Sequence, residues 1–200
     1  MRDTRRAILV PLDGSELAER ALEPARRLAI ATAATMLLVH VVPEHAHDRR
    51  DGFASEIEEA QRYLSGVAGR VRASAGLENH APVILTQACV GAPADRIVRE
   101  AELWHADEIV MSTHGRGGLG RLVHGSVADA VLRHSSVPVL LVPARADRPQ
   151  FQGDAIVLPL DGSPFAETAL PCAAGTDRRS AAAGAAAEYD RPRVHPPEEP

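Results

Sequence analysis

Between Ala7 and Val142, short continuous apolar runs alternate with longer stretches whose apolar residues recur at helical spacing. Continuous apolar runs suit strands covered on both faces, and the helical repeat marks one buried helix face. Runs at Ala7–Leu12, Met36–Val42, Val83–Val90, Glu108–Ser112 and Pro138–Val142 predict strands. After the first run, Leu17, Ala21, Leu22, Ala25, Leu28 and Ala29 predict a helix, with Ser15 as its N-cap and Glu16 and Glu19 in its first turn. Pro43 to Phe53 is polar and histidine-rich, which predicts a loop. Ile57, Ala60, Leu64, Val67, Ala68 and Val71 then mark one face of a second helix. Pro93 opens a third, near the first turn where its missing N–H costs nothing, and Ile97, Val98, Ala101 and Trp104 are its expected inner face. Val127, Ala128, Ala130, Val131 and Leu132 predict a fourth. Strands and helices alternate throughout, with crossovers long enough for parallel pairing and right-handed connections. The expected fold class is α/β: a doubly wound, open parallel sheet of five strands with helices on both faces. Ligands of such sheets sit at the carboxyl ends of the strands, where the strand order reverses.

The opening of this pattern returns later in the chain. Ala7–Ala25 aligns with Ala155–Ala173 at an offset of 148, with 12 of 19 positions identical. The matched centre is Pro11-Leu12-Asp13-Gly14-Ser15 against Pro159-Leu160-Asp161-Gly162-Ser163. The expected organisation is one domain over 1–143, a polar linker over 144–153, and the start of a truncated second copy over 154–175. Residues 176–200 carry no strand pattern and are rich in Ala, Pro, Arg and Glu, which predicts a disordered tail.

Charge and composition narrow the chemistry. The chain has 200 residues, 22 basic and 27 acidic, with a net charge of −5. A negative balance argues against sequence-independent duplex binding, and 3 Phe, 2 Tyr and 1 Trp give little surface for stacking unpaired bases. Every basic residue is arginine. The absence of lysine excludes Schiff-base chemistry and any mechanism built on a P-loop or kinase lysine. Cys89 and Cys172 lie far apart, which argues against a redox or metal motif and for a reduced compartment. The residues before Ala7 run straight into the first strand pattern, without an apolar leader or span, so the expectation is a soluble, cytoplasmic protein that needs no membrane.

The segment from Met111 to Val127 is the most informative. It follows a strand, precedes a helix and is rich in glycine, which lets backbone N–H groups approach a phosphate closely. Gly125, Ser126 and Val127 fall at the helix N-terminus, where unpaired N–H groups and the helix dipole favour an anion. Ser126 adds a hydroxyl, and Arg116 a guanidinium suited to bidentate phosphate contact. A Walker A loop needs a lysine and fails. Gly115-x-Gly117-x-x-Gly120 matches the dinucleotide fingerprint literally, but it follows the fourth strand and lacks the acidic residue further on. His45, His47 and Asp48 lack further ligands at metal spacing and read as an exposed loop. His114 and His124 have neither a nucleophile nor a paired carboxylate in a hydrolase order, so no catalytic residue is assigned.

These stretches, taken together, closely resemble the universal stress protein family. The match covers residues 7–143: Ile-Leu-Val-Pro-Leu-Asp-Gly-Ser from Ile8, Leu-Val-His-Val-Val from Leu38, Val-Gly-Ala-Pro-Ala-Asp-Arg-Ile-Val from Val90, Ile-Val-Met-Ser-Thr-His-Gly-Arg-Gly-Gly from Ile109, and the run from Gly125 to Val142. The resemblance implies a Rossmann-like fold of the adenine nucleotide alpha hydrolase type. It also implies ATP as the ligand, with magnesium. The family's ATP-binding branch carries G-x-x-G, nine residues, then G-(S/T). Gly115, Gly125 and Ser126 match, while Ser112 replaces the first glycine. The resemblance further implies that Asp13 contacts the nucleoside, Val41 meets the adenine through its backbone, Pro11 lines the adenine pocket, and Gly115, Gly125, Ser126 and Val127 hold phosphates. From the residues alone, Asp13 equally suits turning and capping the next helix. The expected function is a nucleotide-dependent stress-response sensor or partner-binding module, with ATP hydrolysis slow and incidental. The family typically dimerises by its last strand, here Val137 to Val142. The alternatives are a degenerate interaction domain without nucleotide, motivated by Ser112 and the broken repeat, and, ranked below it, a slow ATP hydrolase of the same superfamily.

Overall fold

The computed structural model describes residues 6–44, 50–74, 81–113, 125–143, 157–170 and 173. Five strands form one sheet: β1 (Ala7–Pro11), β2 (Thr35–Val42), β3 (Ile84–Val90), β4 (Glu108–Ser112) and β5 (Val139–Val142). Their order is β3-β2-β1-β4-β5, and every pairing is parallel. The helices are α1 (Glu16–Glu19), α2 (Leu22–Thr32), α3 (Arg50–Ser74), α4 (Pro93–Leu103), α5 (Ser126–His134) and α6 (Pro164–Glu167). The doubly wound α/β sheet expected from the sequence is therefore the fold.

Side chains alternate across each strand, so one apolar run supplies two cores. Ile8, Val10, Met36, Leu38 and Val110 pack with Ala25 and Ala29 of α2 and with Leu64 and Val67 of α3. Leu9, Leu37, Val39, Ile109 and Met111 pack on the other face with Ile97 and Ala101 of α4 and with Ala128 and Val131 of α5. Register ties the centre together: Leu9 lies beside Leu37 of β2 and Ile109 of β4. From β1 the chain winds first toward β2 and β3 and then back to β4, so the strand order reverses at β1 and opens a crevice beyond its carboxyl end.

Several boundaries differ from the sequence pattern. The helix expected from Leu17 to Ala29 is two helices, with a break at Arg20 and Ala21. Pro24 explains it. Proline has no N–H for the carbonyl of Arg20, and its ring would collide with that carbonyl in a continuous helix. The chain instead closes a tight turn, with Arg20 N–H donating to Leu17 O and Ala21 N–H to Ala18 O. The expected loop over Pro43 to Phe53 is shorter, because α3 already starts at Arg50. Arg50, Asp51 and Gly52 give no apolar repeat to mark that onset, and Ala54 and Ser55 are exposed. Trp104 leaves the inner face of α4, since the helix ends at Leu103 and the indole is 41% exposed.

The repeated segment copies the local geometry of the first. Ser15 N–H donates to Asp13 Oδ1 at 2.9 Å and Ala18 N–H to Ser15 Oγ at 3.1 Å. In the copy, Ser163 N–H donates to Asp161 Oδ1 at 2.9 Å and Ala166 N–H to Ser163 Oγ at 3.1 Å. Gly14 and Gly162 take φ of +83° and +80°, a turn conformation that only glycine adopts at little cost. What differs is the surroundings. Residues 157–160 pair with no strand among the described residues, and Val157 is 87% exposed where its counterpart Leu9 is wholly buried.

Candidate functional site

A cavity of about 360 Å³ opens at the carboxyl ends of β1, β2 and β4. Its floor comes from the strands: Pro11 at the end of the first with Leu12 just beyond it, Val39 and Val41 of the second, Met111 and Ser112 of the fourth. Pro93 and Ile97 of α4 add an apolar wall. Leu12 N–H donates to Val39 O at 2.8 Å, which extends the β1–β2 ladder one residue toward the opening. Asp13 follows at the rim. Its Oδ1 accepts from both the backbone N–H and the hydroxyl of Ser15, at 2.9 and 2.6 Å. Ser15 in turn caps α1 as expected. Asp13 thus makes the turn and also lines the cavity.

The opposite rim is the start of α5. Gly125 is the N-cap and supplies no side-chain hydrogen bond, while its N–H donates to Thr113 O at 2.7 Å. The first intrahelical bond runs from Asp129 N–H to Gly125 O. The N–H groups of Ser126, Val127 and Ala128 therefore have no acceptor within the helix, and all three residues border the cavity. That end carries the positive pole of the helix dipole.

The structure thus brings Pro11, Asp13, Val41, Ser112, Gly125, Ser126 and Val127 to one cavity, although they come from four separate stretches of sequence. Gly115 and Arg116 lie outside the described residues, as do His45, His47, Asp48, His114 and His124. The bond from Gly125 to Thr113 joins the two ends of the segment that holds Gly115 and Arg116. Ser112, which stands where the family's first glycine is expected, is 6% exposed and lines the cavity. The described residues hold no group of three or more His, Cys, Asp or Glu that could bind a metal. No described helix is long and apolar enough to cross a membrane.

The family model described as the universal stress protein family matches residues 4–143. The chain belongs to that family. It is 35% identical over 139 residues to the universal stress protein in the QAH/OAS sulfhydrylase 3′ region of Thermus aquaticus, covering 68% of this chain and 98% of that one. It is 31% identical over 158 residues to universal stress protein MJ0577 of Methanocaldococcus jannaschii, covering 68% and 93%. The solved structure of MJ0577 superposes with a TM-score of 0.58 over 69% of this chain and 95% of that one. A universal stress protein solved in complex with cAMP is 28% identical, with a TM-score of 0.53 over 70% and 98%.

In this universal stress protein the cavity has a further wall that motif spacing missed. His40 lines it, and the Tyr63 ring of α3 meets the imidazole edge-on, with centroids 5.8 Å apart. A histidine inside the apolar run of β2 was the available signal. Tyr63 OH donates to Glu19 Oε1 at 3.0 Å, and Arg70 pairs with the same carboxylate at 2.7 Å. This ties α1, and the Asp13 turn before it, to α3. Burial pushes the Tyr63 phenol well above its ordinary value, and the Glu19 charge adds to the effect. Unfolded tyrosine ionises near pH 10, roughly the model-peptide value. Above that pH the folded chain keeps a proton that the unfolded chain has lost, so stability falls as pH rises, and the contribution is complete below it. Tyr63→Phe should cost about 1 kcal/mol at pH 7, the scale of one hydrogen bond, and should flatten the decline above pH 10. Urea unfolding at pH 7 to 11 measures both. Parallel declines in parent and variant would refute the assignment.

Proposed function

We propose that this universal stress protein binds an adenine nucleotide, ATP as its magnesium complex, and works as a nucleotide-dependent stress-response sensor or partner-binding module. The observation that carries the proposal is the convergence of Asp13, Val41, Ser112 and the N-terminus of α5 on one cavity. The residues fit such a ligand by their chemistry. The apolar floor with the Val41 backbone suits a purine, the Asp13 carboxylate suits ribose hydroxyls, and the uncapped α5 terminus suits phosphates. Gly115 and Arg116 join the proposal through the sequence, as part of the segment between Thr113 and Gly125. Magnesium would arrive with the phosphates. The cAMP complex of a relative supports an adenine nucleotide as the ligand class.

The function is binding rather than turnover. The chain has no lysine, and among the described residues the cavity has no pair of carboxylates to move protons, so hydrolysis would be slow and incidental. Dimerisation through Val137 to Val142 is part of the proposal. β5 is the last strand in the sheet order, and its four residues are all apolar yet only half-buried. Ser112 favours a second reading, an interaction domain that no longer takes nucleotide, because a residue with a side chain borders the cavity where the expected motif has glycine.

Calorimetric titration and thermal melting with Mg-ATP decide between them. Binding releases heat and raises the melting temperature, with about 2.7 kcal/mol of added stability at a hundredfold excess over Kd. Absence of both signals at millimolar nucleotide would leave the interaction-domain reading.

A further inference from the structure

Asp13 is on a turn whose internal shape is local. Its bond from Ser15 and the positive φ of its glycine recur at Asp161, Gly162 and Ser163, where residues 157–160 pair with no strand among the described residues. Where the turn stands against the cavity is a separate matter. The helix after it, α1, has four residues and one buried side chain, Ala18. A single helical turn is marginal by itself, so its position depends on what it is fastened to. Its last residue, Glu19, carries the fastening. Tyr63 OH donates to Glu19 Oε1 at 3.0 Å, and Arg70 Nη2 donates to Oε1 at 2.9 Å and to Oε2 at 2.7 Å. Both donors are on α3, which the buried Leu64, Val67, Ala68 and Val71 hold in the core under the sheet. His40 of β2 braces the Tyr63 ring edge-on from the strand side. The Asp13 charge is near enough to add to the rise of the Tyr63 phenol. Glu19, Tyr63 and Arg70 do not themselves border the cavity.

We propose that Glu19 is a positioning residue for the nucleoside side of the cavity: its tie to Tyr63 and Arg70 fixes where the Asp13 carboxylate stands, and so governs affinity without touching the ligand. The proposal rests on the nucleotide reading of the cavity and adds the residues outside it that set its affinity. Asp13 Oδ1 holds the Ser15 hydroxyl, and Ser15 Oγ caps α1 through Ala18 N–H, so the turn and the helix form one unit. A shift of α1 against α3 is therefore carried to Asp13. Hydrogen bonds weaken steeply once distance and angle leave their narrow range, so a small displacement of the carboxylate is felt by a ribose hydroxyl. The tie itself is partly exposed, with side-chain exposures of 29% for Glu19 and 60% for Arg70. Exposed ion pairs add little to stability, so breaking this one acts on affinity far more than on the fold.

Calorimetric titration of the full chain with adenosine and with Mg-ATP, alongside melting of each variant, tests this. Glu19→Ala should weaken both ligands by the same factor, about tenfold, the scale of one hydrogen bond to a charged group. Arg70→Ala removes an exposed side chain, so it should melt near the parent and still weaken both ligands. Glu19→Gln keeps an acceptor for Tyr63 and Arg70 and should recover most of the affinity. In an Asp13→Ala chain, adding Glu19→Ala should change adenosine binding by less than about twofold, because nothing is left for it to position. Losses that multiply in that double variant would overturn the proposal, by showing that Glu19 acts through general loosening. Parental affinity in both Glu19→Ala and Arg70→Ala would overturn it as well, and would leave the nucleotide reading intact. A parent chain that takes neither ligand would overturn the nucleotide reading and the proposal together.

Discussion

Ser126→Asp should weaken Mg-ATP binding by about a hundredfold, equivalent to about 2.7 kcal/mol, while leaving the ligand-free protein as stable as the parent. Ser126 is the first residue of α5, is exposed, and borders the cavity. An aspartate there suits the helix, because an acidic group near the N-terminus interacts favourably with the dipole by about 0.3–1 kcal/mol. The same carboxylate would occupy the region proposed for the phosphates. Two unit charges 4 Å apart at an effective dielectric of about 20 repel by about 4 kcal/mol, before solvent and salt reduce it. Ser126→Ala removes only a hydroxyl and should cost about 1 kcal/mol. Adenosine, which lacks the phosphates, should bind parent and Ser126→Asp alike. Calorimetry with both ligands, alongside melting without ligand, separates charge repulsion from misfolding. Unchanged Mg-ATP affinity in Ser126→Asp would remove the start of α5 from the phosphate site.

The strands were legible because burial on both faces leaves uninterrupted apolar runs, and β4 matches its expected bounds of Glu108 and Ser112. Ser15 and Pro93 were legible for local reasons, one as a cap and the other at a helix start. Periodicity does not say which strands are neighbours. That β1 lies between β2 and β4 is what brings Asp13 and Ser126 to one cavity; Ser126 was readable from its place at a helix N-terminus, whereas Asp13 and Val41 were tied to the ligand through a resemblance. Pro24 was visible, but an apolar repeat that continues across it hides the break at Arg20 and Ala21. His40 and Glu100 were missed for a shared reason. Each is polar, and polarity in a helix or strand reads as solvent exposure until tertiary partners are known. Glu100 is in fact 3% exposed.

That buried carboxylate sets the largest expected stability effect. Glu100 Oε1 pairs with Arg96 Nη2 at 2.8 Å, one helical turn earlier on α4, with side-chain exposures of 4% and 29%. Removing one member of a buried pair leaves the other charge without compensation, and the more enclosed member decides the cost. Arg96→Ala strands Glu100 in the interior and should destabilise by about 3 kcal/mol. For a chain of this size that lowers the melting temperature by roughly 10 °C. Glu100→Leu strands Arg96 instead, but that side chain is 29% exposed against 4% for Glu100, so the loss should be nearer ~1 kcal/mol. Arg96→Met with Glu100→Leu replaces the pair by apolar volume and should recover most of the stability lost in Arg96→Ala. Urea unfolding of the three variants gives the ordering directly. Equal, small losses in both single variants would mean that Glu100 reaches solvent. Because α4 also supplies Pro93 and Ile97 to the cavity wall, the two effects meet there: loosening the helix through Arg96→Ala should weaken adenosine and Mg-ATP by the same factor, whereas Ser126→Asp affects the phosphate-bearing ligand alone.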